Sequence, residues 1–236
     1  MMCLLITGFL LGLSIPVIAS RFGKILPADP GLICATLWHK PHFPKAKTQA
    51  YQVKLKQKWM KMLYFSLGWG VVLSALFCLA NIFFQPEMLI WSCLFFYIVG
   101  LLMAVDHQYY LLPDFFTIPL LLLGITVAYF VPDSHLSFGE KLFGAWFGYL
   151  LSTVSVFVMS FIKKGEFGAG DVKMLTALGA WFGMIALNLT LVLSFVIFAV
   201  TVFCKKKQAD AFGPALGIAG ILVFFLVYAN LLWTFL

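Results

Sequence analysis

The sequence predicts an all-α, polytopic helical membrane protein with about eight transmembrane segments, on three observations. Of its 236 residues, 63% are hydrophobic and 11% charged, whereas soluble domains average about 45–50% apolar and about 25% charged. The apolar residues form runs near the ~20 that a helix needs to cross a bilayer. The basic residues collect on one side of the layout that these runs dictate, as they do in membrane proteins that keep Lys and Arg in the cytoplasm. The formal net charge of +7 is therefore read as membrane sidedness. No basic patch interleaved with a readable motif suggests nucleic-acid binding.

Taken in order, the first apolar run, 1–19, has no basic residue before it and Arg21 and Lys24 after it. A secretory signal peptide has the opposite arrangement, so this run reads as a retained first span with its N-terminus outside. Residues 20–61 form a basic cytoplasmic loop carrying nine of the sixteen Lys and Arg. Within it, 49–61 has the composition of a basic surface helix resting on anionic lipid. Cys34, His39 and His42 lie in the same loop, but three scattered ligands do not make a zinc site, and no metal or other cofactor is expected. The five cysteines, Cys3, Cys34, Cys78, Cys93 and Cys204, make no CxxC pair or disulfide framework.

From 62 onward the chain reads as one membrane-embedded domain, 62–236. Runs at 62–84 and 88–105 are joined by Gln85-Pro86-Glu87, and the second ends at Asp106. A turn over 106–114 follows, then spans at 115–131 and 141–162. The run 172–204 would be roughly 48 Å long as one helix, too long for a single upright span. Both of its ends carry Lys, so two short helices turning near 183–188 are expected. The last span is 214–236. If 20–61 is cytoplasmic, alternation places 106–114, 163–173 and 205–213 there too. Fifteen of the sixteen Lys and Arg then lie on that side, Lys141 being the exception. The same alternation puts Asp106 and Asp171 on one membrane face.

Two carboxylates at one depth invite aspartyl-protease chemistry. Close carboxylates cannot both ionise, so the pair holds one proton. The ionised partner deprotonates a water that attacks the peptide carbonyl, and the other protonates the carbonyl oxygen. Either Asp alone would read as a helix cap or surface charge, and Asp114, after Pro113 at the start of an apolar run, reads as an N-cap. His107 reads as a solvated loop residue. The flexible stretch Gly168-Ala169-Gly170 beside Asp171 lets backbone come close to another element.

Three stretches carry a resemblance. Gly168-Ala169-Gly170-Asp171-Val172-Lys173 resembles the GxGD-x-K motif of type IV prepilin leader peptidases. Residues 106–120, DHQYYLLPDFFTIPL, resemble that family's first aspartate motif, D-x-x-x-x-x-L-P-D-x-x-T-x-P-L, and Phe212-Gly213-Pro214 resembles its F-G-P signature. The three stand in order within about 105–216. The resemblance implies Asp106 and Asp171 as catalytic residues, supported by Gly168, Gly170, Lys173, Pro113 and Asp114. It implies cleavage of a short basic leader from prepilins and pilin-like pseudopilins of pilus or secretion systems, at the cytoplasmic face of the bacterial inner membrane. The chain departs from many members in having only Cys34 where they carry two CxxC pairs, and in having no acid over 52–61, where they carry R-Y-P-x-x-E. It thus resembles a shorter, cysteine-poor branch, and the resemblance supports the peptidase without supporting N-methylation.

Such a leader is basic, so acids near the site are its candidate contacts: Glu166, five residues before Asp171, and Asp210, just before Phe212. Their alternative role is to keep the loops soluble. Two other functions stay open from sequence: a proton-coupled transporter, since intramembrane acids also relay protons, and a catalytically silent assembly protein of a pilus or secretion system.

Overall fold

The computed structural model describes residues 1–22, 49–131, 136–162, 168–205, 211–229 and 231. Seven helices cover nearly all of them, and no strand occurs among the described residues. They are α1 (Met2–Phe22), α2 (Gln49–Phe83), α3 (Pro86–Tyr109), α4 (Asp114–Phe130), α5 (Phe138–Ile162), α6 (Ala169–Lys205) and α7 (Gly213–Tyr228). By length and composition α1, α3, α6 and the segment Trp59–Phe83 of α2 can cross a membrane. Large apolar side chains such as Leu122, Phe157 and Phe203 face outward, as they must where the surroundings are lipid. The protein is a multi-pass membrane protein.

The chain divides into two compact units, Met1–Leu79 and Ala80–Leu236. In the first, α1 and α2 run antiparallel and meet at small residues. A Cβ on Gly8 would lie 2.8 Å from the Ser74 Cα, and one on Gly12 would lie 2.6 Å from the Gly70 Cα. Close backbone approach of this kind replaces the hydrophobic drive that lipid removes. The basic stretch 49–61 is not a separate surface helix. It continues into the following span as one helix of 35 residues, because Gln, Lys, Leu and Met favour helix and neither Gly nor Pro interrupts them before Gly68.

The second unit packs around an aromatic cluster. Phe95 and Phe96 of α3, Trp181 and Phe182 of α6 and Phe224 of α7 are fully buried. Phe95 stacks on Phe224 at 4.5 Å and meets Trp181 edge-on at 4.9 Å. The Trp181 Nε1–H donates to the Leu120 carbonyl of α4 at 2.9 Å, satisfying a buried polar group.

The helix α6 is two limbs, as the length of the run requires. Gly183 takes φ 71°, ψ −178°, a left-handed backbone open to glycine. A Cβ on Gly148 of α5 would meet the Leu175 carbonyl oxygen at 2.8 Å and the Leu187 Cδ2 at 3.0 Å. In a straight helix those two residues would stand about 18 Å apart along the axis. The chain therefore doubles back at Gly183, at the start of the expected 183–188 turn, and limbs 169–182 and 184–205 lie side by side against α5. With the reversal, the helices present eight limbs.

That packing is tight enough to be tested. A Cβ on Gly144 would stand 2.5 Å from the Gly183 backbone, whereas one on Gly139 meets nothing within 4 Å. Overpacking a close contact costs about 1–3 kcal/mol. Gly144→Val is expected to lower the melting temperature in detergent clearly, with Gly139→Val near wild type. Equal melting of the two would contradict the hairpin.

The contacts also set direction. Leu112 faces Gly170 and Gly124 faces Trp181, so α4 and the first limb of α6 run parallel. Asp106 faces Gly213 and Phe95 faces Phe224, so α3 and α7 run antiparallel. The C-terminal end of α3 and the N-terminal ends of α4, α6 and α7 thus meet at one end of the unit. Lys141, buried above the Tyr228 ring at 5.4 Å, lies at the other.

Candidate active site

Asp106 is not in a turn, as the sequence suggested, but in the last turn of α3, which continues to Tyr109. Tyr110 closes that helix in a left-handed conformation, φ 54°, and its N–H donates to the Asp106 carbonyl at 2.8 Å. The Asp106 side chain is 6% exposed. A buried carboxylate needs hydrogen-bond donors, and α7 supplies one: the Gly213 N–H donates to Asp106 Oδ2 at 2.8 Å. Gly213 is the first residue of α7, and its N–H is among those a helix leaves unmatched at its start. Asp106 caps that helix from 107 positions away. Only glycine fits there, since a Cβ would fall 2.5 Å from Asp106 Oδ2.

Asp171 is half-buried in the first turn of α6. Its N–H donates to the Gly168 carbonyl at 3.0 Å, and the Gly168 N–H donates back to Asp171 Oδ2 at 3.2 Å. This local ring starts the helix much as the reciprocal bonds of a capping box do. Asp106 and Asp171 are near enough to act on each other electrostatically.

Asp114 does not cap α4. The cap position is Pro113, and no side chain serves it. Asp114 is instead the first residue of the helix and pairs with Lys173 of α6, whose Nζ donates to Oδ1 and Oδ2 at 2.5 and 2.6 Å. Pro113 and Leu112 are buried beside it. A Cβ on Gly170 would lie 2.6 Å from the Leu112 Cβ, so this glycine allows the close approach of the two segments. His107 is exposed in the last turn of α3.

The structure therefore gathers Asp106, Pro113, Asp114, Gly168, Gly170, Asp171 and Lys173 at one end of the second unit. Sequence reasoning noticed Gly213 as part of a signature but missed its bond to Asp106. A Gly-Pro pair opening an apolar run was the available signal, since Pro is favoured in a first helical turn. Sequence reasoning also missed that Lys173 and Asp114 are partners. Glu166 and Asp210 lie outside the described residues, as do Cys34, His39 and His42. Each carboxylate is thus held at the start of a helix by a backbone N–H, Asp106 by Gly213 of α7 and Asp171 by Gly168 before α6.

Comparison with known proteins bears on the same residues. Residues 93–203 match the type IV leader peptidase family; Asp106, Asp114, Asp171 and Lys173 fall inside the match and Gly213 beyond it. The chain is 41% identical over 128 residues to a prepilin leader peptidase/N-methyltransferase of Pseudomonas aeruginosa, covering 50% of this chain and 42% of the relative. It is 35% identical over 153 residues to a protein of the same name from Dickeya chrysanthemi, covering 61% and 53%. Against the Dichelobacter nodosus protein of that name it is 31% identical over 174 residues, covering 66% and 60%. The chain spans about half the length of the curated relatives it matches. No solved structure matches it significantly. Over 93–203 the chain is thus similar to the type IV leader peptidase family, and over longer stretches to these relatives.

Proposed function

We propose that the protein is an aspartic endopeptidase that hydrolyses the peptide bond after the short basic leader of a prepilin or pseudopilin. Asp106 and Asp171 are its catalytic pair. What supports this reading is that two carboxylates from separate motifs, 65 positions apart, stand on segments that pack together at one end of the helical unit, with Asp106 against Gly213 and Leu112, six residues on, against Gly170 beside Asp171. The proton belongs to the pair, and neither Asp is the permanent acid. The reaction needs a water, and the ends of helices at a membrane surface have access to it. The distribution of Lys and Arg supports a cytoplasmic location for that end, and the bacterial relatives support a bacterial inner membrane.

The test is cleavage of a pilin-like substrate by the purified protein, read by mass spectrometry as loss of the leader. A protein that moves protons across vesicles and leaves the substrate whole would be a transporter instead. One that does neither fits the silent assembly protein.

Within the same reading, Glu166 and Asp210 hold the positive charges of the leader. Glu166→Gln and Asp210→Asn are expected to raise KM and weaken its salt dependence, with kcat nearly unchanged. Contacts made equally in ground and transition states act in that way. Wild-type kinetics across a salt series in both variants would return them to ordinary loop acids.

A further inference from the structure

We infer that Lys173 and Asp114 are positioning residues: their ion pair is a strut that sets the rotation of the first limb of α6, and hence the direction in which Asp171 points. The inference rests on the two-aspartate reading above for its consequence in catalysis, but not for its geometry.

Gly170 and Lys173 are three residues apart and so lie on one side of α6. Both touch the same short segment, Gly170 against Leu112 and Lys173 against Asp114. One contact would let the helix roll about its axis; two contacts one turn apart do not. Asp171 stands about 100° around the axis from Gly170, so fixing that face fixes the direction of Asp171. The segment 110–114 is the direct continuation of α3, whose last turn holds Asp106. The strut therefore ties the helix bearing one carboxylate to the chain bearing the other.

The placement of the charges favours this role over two simpler ones. A Lys so close to a helix N-terminus opposes the helix dipole, so its own helix does not account for it. Stability does not account for it either. The side chains are 45% and 55% exposed, and ion pairs at that exposure add little to folding. What such a pair can supply is direction, and misplacing a reacting group by about 1 Å can cost on the order of a hundredfold in rate.

The test uses Lys173→Met, Asp114→Asn, the double variant and the charge swap Asp114→Lys with Lys173→Asp in the full-length protein. For a strut, either single change lowers kcat about tenfold or more with KM for the pilin-like substrate unchanged. The double variant is no worse than a single one, as for two halves of one interaction, and the swap recovers most of the loss. A second readout needs no activity. The five native cysteines are replaced by alanine, Asp106 and Asp171 are changed to cysteine, and a short bifunctional thiol reagent is applied. Cross-linking is expected to be fast, to slow with Lys173→Met and to recover with the swap. If cross-linking ignores Lys173→Met, the strut is overturned. A rise in KM that the swap worsens also overturns it, by making Asp114 a leader contact. If the wild type fails to cleave but cross-linking still depends on Lys173, the peptidase reading fails and the strut stands.

Discussion

Asp106→Asn and Asp171→Asn are each expected to abolish leader cleavage, by roughly 10⁴-fold or more, in protein that still inserts and melts like wild type. Removing one member of a catalytic unit can cost nearly as much as removing all of it. The amide cannot take the proton from the attacking water, and it cannot be the acid when the amine leaves. Asn is close to Asp in volume and can accept the Gly213 N–H through its carbonyl oxygen, so the helix ends should stay in place. The measurement is single-turnover cleavage of a pilin-like substrate, with thermal melting of each variant alongside. The wild-type profile of kcat/KM against pH should be bell-shaped, its two limbs belonging to the pair and not to either residue. Substantial cleavage by either variant would remove that Asp from the site.

The second large effect should come from a single methyl group. In Gly213→Ala the added carbon falls 2.5 Å from Asp106 Oδ2 and 2.8 Å from its Cγ. Ordinary contact begins at about 3.4 Å, so the carboxylate or the start of α7 must move by nearly 1 Å. A shift of that size at a reacting group can cost about a hundredfold in rate. Gly170→Ala should also be damaging, because its methyl meets the Leu112 Cβ at 2.6 Å and the Leu112 carbonyl oxygen at 3.0 Å. That change pushes apart the two segments that bear the carboxylates. Gly168→Ala is the control. Its nearest neighbour is Asp171 Oδ2 at 3.4 Å, which is normal contact, so most activity should remain. The order is what matters: kcat should fall far in Gly213→Ala and Gly170→Ala and little in Gly168→Ala. If Gly168→Ala were the worst of the three, close approach would not be what these glycines provide.

The class of the protein was legible in the sequence alone, and so was the basis for proposing its sidedness. Run lengths and the positions of sixteen basic residues are one-dimensional quantities, and a bilayer reads them directly, since it admits helices of one length range and retains Lys and Arg on one side. The same logic indicated that 172–204 must double back, with which the packing of α5 against both limbs of α6 agrees, and that Asp106 and Asp171 share one end, with which the Gly213–Asp106 and Gly170–Leu112 contacts agree. Which groups touch was settled by packing. It gave Asp114 a partner 59 positions away in place of a capping role, and it gave Asp106 an N–H donor 107 positions away. It also placed the reversal at Gly183 and merged 49–61 into the span that follows. The reason is physical. Hydropathy and charge act between a residue and its solvent, so each position carries its own signal. A hydrogen bond or a close glycine contact acts between two positions, and its signal exists only once packing has brought both of them together.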